Sequence, residues 1–147
     1  MILIGIDPDV HKSGVAYYEK HTKRLELSNL TFFQLFDYLS YIKKCNAQIT
    51  TKDLNIKIII EAGWLNKSNW HTDNKNKNIA TMIGNRTGSN HETGRKIVEM
   101  CEYLELKYEL VIPKKSKVTH EYFKKLTGII GKTNQEERDA AMLVWGY

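Results

Sequence analysis

Glu136 and Asp139 stand three residues apart in Thr133-Asn134-Gln135-Glu136-Glu137-Arg138-Asp139-Ala140-Ala141, whose polar start and apolar continuation to Trp145 predict a helix. At that spacing both carboxylates leave one helix face, within reach of one ion. Two further acids, Asp7 and Glu61, each end an apolar run with the character of a buried strand. Acids gathered from these three distant segments would form an all-oxygen site of the kind that suits magnesium. Without a cation such a cluster would repel itself and take up protons, so a purely structural purpose is a poor account of it. The helix alone has a plainer reading. Acids in a first turn offset its free N–H groups and dipole, and Thr133 with Glu136 has the spacing of a capping box. The strand-end acids are what favour a site.

The elements that must position these acids are read in order. Met1-Ile2-Leu3-Ile4-Gly5-Ile6-Asp7 predicts a central strand buried on both faces. Pro8-Asp9 begins a turn, Gly14 permits a bend, Val15 to Tyr18 resumes as strand, and the alternation from Lys23 to Ser28 marks a half-exposed third strand. Thr31 and Gln34 form a capping box, with Leu30 and Leu35 as its staple. Phe32, Leu35, Phe36, Leu39 and Ile42 then share one helical face, which packs on the sheet. Residues 46 to 55 read as polar linker, Ile56 to Glu61 as the fourth strand, and Leu65 to Asn78, with Trp70 and His71, as a mobile surface loop. Ile79 to Glu105 reads as helix with a break between Gly84 and Gly94, and its apolar face of Ile97, Met100, Cys101 and Leu104 suits either core or interface. Tyr108 to Ile112 is a fifth strand stopped by Pro113, and Ser116 to Leu126 a helix. Ala140 and Ala141 carry little bulk, so the last helix can lie close against the sheet.

The totals narrow the partners. The 147 residues fit one domain, with 41% apolar and 27% charged residues as in ordinary globular proteins. A net charge of +5 and a pI near 9.1 favour an anionic partner, nucleic acid before membrane. Cys45 and Cys101 match no metal-ligand spacing and suggest a reducing compartment. The first residues enter a strand-like run with no charged leader, and no apolar segment approaches membrane-spanning length, so the expected setting is the cytoplasm. His11, His71 and His120 share no ligand spacing and read as surface residues. Gly131-Lys132-Thr133 has the end of a phosphate-binding loop, but Leu126 stands where its first glycine belongs and the strand before it is missing, so that motif is rejected.

Taken together, the motifs resemble those of the RuvC family of Holliday-junction resolvases, within the RNase H-like superfold. Gly5-Ile6-Asp7-Pro8 with Gly14 is similar to the family's first motif, Ile59-Ile60-Glu61 to its second, and Glu136-x-x-Asp139-Ala140 to its third. Gly94-Arg95 entering a helix and Val111-Ile112-Pro113 before a lysine-rich segment extend the resemblance over almost the whole chain. The resemblance implies an α/β fold with a five-stranded mixed sheet in the order 3-2-1-4-5, a homodimer, and two divalent ions held by the acids. The chain departs from the pattern at Glu136, where the family usually has Asp and where Glu137 competes for the role. Asp9-Val10-His11-Lys12 replaces a Gly- and Ser-rich turn, and the stretch after Glu61 is several residues longer. These departures bear on substrate preference more than on chemistry and suggest a divergent member, as from a phage or mobile element.

The implied chemistry is phosphodiester hydrolysis. It needs charge neutralisation on the phosphate, an activated water and a stabilised leaving oxygen, all within reach of two magnesium ions, with manganese as a substitute. Asp7 is expected to bridge, Glu61 to hold one ion, and Asp139 with Glu136 the other. Lys114, Lys115, Lys117 and Lys132, from a lysine-rich segment before the acidic helix, are expected to contact DNA phosphates, with Arg86 and Arg95 as further candidates. For any one of these lysines a solvated helix face is the better account; for the group, phosphate contact is. Trp64 sits where the resemblance places an aromatic that wedges at the junction, and it could equally lid the core. The expected activity is therefore a magnesium-dependent endonuclease that resolves four-way DNA junctions in recombination and repair by paired symmetric nicks. The alternatives are an RNase H-like nuclease for RNA–DNA hybrids, flaps or structured RNA, and a junction-binding protein without catalysis. A sugar-kinase-like ATPase shares the Gly-x-Asp opening but needs two such domains.

Overall fold

Ile2–Asp7 forms β1, and the strand is buried along Leu3 to Ile6, as its uninterrupted apolar run requires. The computed structural model describes residues 1–48, 55–66, 77–114 and 116–147. β1 pairs antiparallel with β2 (Ser13–Glu19), which pairs antiparallel with β3 (Arg24–Leu30). On its other side β1 runs parallel to β4 (Ile56–Glu61), and β4 parallel to β5 (Tyr108–Val111). The five-stranded mixed sheet thus has the order β3-β2-β1-β4-β5, as expected.

The two-residue period of a strand divides the core between the faces of the sheet. Ile4, Ile6, Ile58 and Ile60 point to one face, under α1 (Phe32–Gln48) and α2 (Lys77–Tyr103). Leu3 and Ile59 point to the other, where Phe123 of α3 (His120–Thr127) and Ala140, Ala141 and Val144 of α4 (Gln135–Val144) cover them. Asp7 and Glu61 have the same parity as Leu3 and Ile59, so both belong to the face that carries α4.

Two glycines let α4 lie directly on the strands. A Cβ on Gly5 would stand 2.1 Å from the Ala140 carbonyl oxygen, and one on Gly14 would stand 2.1 Å from that of Glu136. Gly14 is also the register partner of Asp7. The close approach that brings the Glu136 turn of α4 down onto β2 therefore occurs beside Asp7.

Several boundaries differ from expectation. α1 is capped by Thr31 and Gln34 as expected, but it continues through residues 46–48, which had read as linker. Phe32 lies in its first turn, is 38% exposed and packs edge-on against Phe33 rather than in the core, whose margin there is taken by Leu30 and Phe36. α2 has no break between Gly84 and Gly94; Gly84 and Gly88 face open space, so each costs only helix propensity. Its Ile97, Met100 and Cys101 are core residues and Leu104 packs against them. α3 begins at His120, four residues later than the expected Ser116, because Thr119 supplies the cap by accepting from the Tyr122 N–H. Of the expected loop from Leu65 to Asn78, Leu65 closes a 3-10 turn and residues 77–78 open α2, while Trp70 and His71 lie outside the described residues. Among the described residues no helix is long and apolar enough to cross a membrane.

Candidate active site

Asp7, Glu61, Glu136 and Asp139 line one cavity of about 410 Å³ at the ends of β1 and β4. The four acids named from sequence are therefore brought together from three segments. Asp7 feels the others strongly: burial first, then the charges of Glu61, Asp139 and Glu136, push its carboxyl up to about 8, against a smaller opposing pull from Lys117. Glu61 is also raised, by burial first, with Asp139 adding and Lys117 opposing. Asp139 is buried, and both its oxygens are occupied. Gln135 Nε2 donates to Oδ1 at 2.8 Å, and Lys117 Nζ donates to Oδ2. Burial works against the charge on Lys117, yet the bond to Asp139 and the charges of Asp139, Glu61 and Asp7 outweigh it and hold its ammonium above the ordinary lysine range.

The helix that delivers Glu136 and Asp139 is capped one residue later than its spacing suggested. Asn134 is the N-cap, accepting from the Glu137 N–H at 2.8 Å, while Glu137 Oε2 accepts from the Asn134 N–H at 2.9 Å. Glu137 Oε1 also accepts from Asn29 Nδ2 of β3 at 2.7 Å. Glu137 is thus committed to the cap and the sheet, and Glu136 is the acid turned to the cavity. Arg138 fixes the approach of α4 to the preceding segment by donating to the carbonyls of Val118 at 3.0 Å and Thr133 at 2.6 Å.

Across the cavity stands α2. Arg86, Asn90 and His91 line it, with Trp64 at the rim. Trp64 rests on Gly94, where a Cβ would come within 2.3 Å of its ring, meets His91 edge-on, and carries the Arg95 guanidinium 5.7 Å above its ring. Arg95 is further paired with Glu92 at 3.5 Å, and Lys132 is exposed on the loop before α4; neither lines the cavity. Lys114 is exposed beside Lys117, and Lys115 lies outside the described residues. His11 is exposed, and His120 shares a hydrogen bond with Thr133 Oγ1 at 3.0 Å.

Asp9, which in sequence reads only as part of a turn, also lines the cavity. Its buried carboxylate accepts from the His11 N–H at 2.9 Å, Asn90 Nδ2 at 3.2 Å and Arg86 at 3.5 Å. Burial would raise its pKa, but these bonds, with the Lys12 N–H, prevail and hold it below the usual range. Asn90 Oδ1 also accepts from the Val10 N–H at 3.0 Å, so one amide ties α2 to the turn that follows Asp7. Two signals could have shown this. Asp two residues before an unpaired N–H is an Asx-turn pattern, and Arg86 and Asn90 stand at the i, i+4 spacing of one helix face.

Among the described residues, no three carboxylate, imidazole or thiol side chains are already drawn together as ligands; the Lys117 ammonium stands among the acids instead. The donor set nonetheless fits a hard divalent cation. It is all oxygen and partly desolvated, burial raising both Asp7 and Glu61, and around Asp7 the neighbouring acids add to that rise against the pull of Lys117.

No family model matches the chain, and no curated protein matches its sequence. Among solved structures, the chain is similar to RuvC of T. thermophilus in complex with a Holliday junction substrate. The identity is 11%, the TM-score 0.51, and the match covers 97% of this chain and 89% of that one. The fold is RNase H-like.

Proposed function

We propose that the chain is a single nuclease domain that cuts branched DNA, resolving four-way junctions by paired symmetric nicks. The observation that carries this reading is the convergence of Asp7, Glu61, Glu136 and Asp139 in one cavity with too little positive charge to satisfy them. The similarity in fold to a resolvase bound to its junction supports the choice of substrate.

Asp7, Glu61, Glu136 and Asp139 would hold two magnesium ions, or manganese in their place. Bound there, the ions supply Lewis-acid charge neutralisation for phosphodiester hydrolysis. The chain's own residues do the rest. Asp7 would ligate as the carboxylate, giving up the proton that burial and the neighbouring acids favour on it. Gln135 Nε2 fixes the orientation of the Asp139 carboxylate. Lys117, released from Asp139, can turn its ammonium to a phosphate, and Lys114 and Arg86 extend that cationic rim on either side. Lys132 and Arg95 are proposed as outer phosphate contacts, Lys115 as a phosphate contact with its neighbours in the basic segment, and the exposed part of the Trp64 ring as a stacking surface for an unpaired base. Two symmetric cuts across a junction require two such sites related by a two-fold axis, so a homodimer is proposed.

The test is a magnesium-dependent assay on a synthetic four-way junction with mapped nicks, run beside an RNA–DNA hybrid duplex. Symmetric nicks near the branch are expected. Preference for the hybrid would replace the resolvase with an RNase H-like nuclease.

A further inference from the structure

A second cavity, of about 370 Å³, opens on the other side of Lys117. It shares Glu61, Lys117 and Asp139 with the acidic cavity, so those side chains form a common wall. The rest of its lining differs in kind. Val111, Val118, Met142 and Leu143 are partly buried apolar side chains at the margin of the core beneath α4. Tyr147 closes one side with its ring held in place, because its Oη donates to Glu109 Oε2 at 2.8 Å and accepts from Lys57 Nζ at 2.6 Å. Lys114, exposed, stands with Lys117 at the mouth.

A fixed aromatic ring, apolar walls and cations at the opening match a nucleobase attached to its phosphate better than they match a purely apolar ligand. We propose that this cavity receives an unstacked nucleobase from the strand whose phosphate lies over Asp7 and Glu61. The inference rests on the nuclease reading for the position of that phosphate. A phosphate over the acids arrives with its nucleosides one backbone step away, and the common wall places the apolar cavity at that range. An intact duplex must unstack a base to fill it, whereas a branch point offers one at much lower cost. The cavity therefore selects substrates with unpaired or easily opened nucleotides beside the cut.

The test uses the full chain carrying labelled methionine methyl groups, with calcium present and a single-stranded DNA tetranucleotide as probe. The same strand with every base removed is the comparison. The Met142 methyl resonance shifts with the intact strand and not with the abasic one, while Met100, buried on the opposite face of the sheet, stays still in both. Leu143→Trp, which fills the cavity, removes the response and weakens binding of the intact strand by roughly 10-fold, a modest value for one lost stacking contact. Tyr147→Leu adds no bulk and still weakens the intact strand alone. A Met142 signal that is silent with both strands, or that moves equally with both, overturns the proposal. Junction cleavage measured on the same preparation separates the two readings. Cleavage with a silent Met142 removes only the base site; a base-dependent response without cleavage removes only the nuclease.

Discussion

Lys117 Nζ donates to Asp139 Oδ2, so a side chain from the segment after β5 reaches into the acids and neutralises the one that is most buried. An ammonium and a divalent ion cannot both claim that oxygen. Lys117→Met is therefore expected to bind magnesium more tightly, by about 3- to 10-fold, the range of one competing charge-assisted contact. The same variant, free of metal, loses about 1 kcal/mol of stability, the lower end for such a bond because Lys117 is half exposed. Calorimetric titration and urea unfolding measure the two effects. Weaker magnesium binding in the variant would mean that Lys117 organises the acids rather than competing for them.

Glu61 ends β4 on the face shared with Asp7 and, among the described residues, takes no part in a cap, so its carboxylate is available to the site. Glu61→Gln keeps the shape and removes the charge. Cleavage of a four-way junction should fall at least 100-fold, while binding to the junction in gel-shift stays within about 3-fold. A variant with unchanged behaviour in both assays would leave a junction-binding protein without catalysis.

The protonation of Asp7 gives a pH dependence of definite sign. Its carboxyl ionises at 3.8 in the unfolded chain and near 8 in the folded one. Between those values the folded state holds a proton that unfolding releases, so stability is fully present below about pH 4 and falls as pH rises toward 8. The slope reaches at most about 1.4 kcal/mol per pH unit for one proton, and the raised Glu61 adds in the same direction. Asp9 has the opposite sign, but its lowered pKa confines that effect to more acidic solution. Urea unfolding at several pH values from 5 to 8 in a chelator should show the decline, and magnesium should flatten it. Stability that rises over that range in the chelator would contradict the crowding of the acids.

The capping geometry separates two neighbouring acids. Glu137 closes the capping box and bonds Asn29, so Glu137→Ala should cost about 1–2 kcal/mol of stability with magnesium affinity held within about 2-fold. Glu136→Gln should do the reverse, lowering magnesium affinity roughly 10-fold with little change in stability. Thermal unfolding and metal titration on both variants decide the matter, and exchange of the two outcomes would make Glu137 the ligand.

The sheet was legible because β1 and β4 are written as apolar runs ending in acids; the register that pairs Gly5 with Ile59 then puts Asp7 and Glu61 on one face. The cap of α4 was not, since Thr133 and Asn134 are both good cap residues and Glu136 and Glu137 both fit the partner position. Local chemistry there is degenerate; the bond from Asn29, 108 residues away, goes with the Glu137 choice. The continuity of α2 was hidden by Gly84, Gly88 and Gly94, which propensity counts as breaks. Long-range contacts bear on that helix: Arg86 and Asn90 on Asp9, which the i, i+4 spacing only hints at, and Trp64 against Gly94, which no local pattern shows. The Lys117–Asp139 pair was equally invisible, because nothing in spacing says which lysine of a basic run turns inward.

The glycines of β1 and β2 provide a test of how closely the site depends on the seat of α4. A methyl group on Gly5 or Gly14 would meet backbone oxygen at 2.1 Å, and backbone cannot rotate out of the way. The helix must lift, and Gly5→Ala or Gly14→Ala should cost about 1–3 kcal/mol, the usual range for overpacking. The two should differ in function. Gly5 sits under Ala140, inside the packed layer, whereas Gly14 sits under the Glu136 carbonyl beside Asp7. Gly14→Ala is therefore expected to weaken magnesium binding about 10-fold, and Gly5→Ala by less. Gly84→Ala is the control: its Cβ would meet nothing within 4 Å, so the change should stabilise the helix by up to about 1 kcal/mol with metal binding unaltered. Equal metal affinity in Gly14→Ala and the control would show that the acids find their places without the close contact between α4 and the sheet.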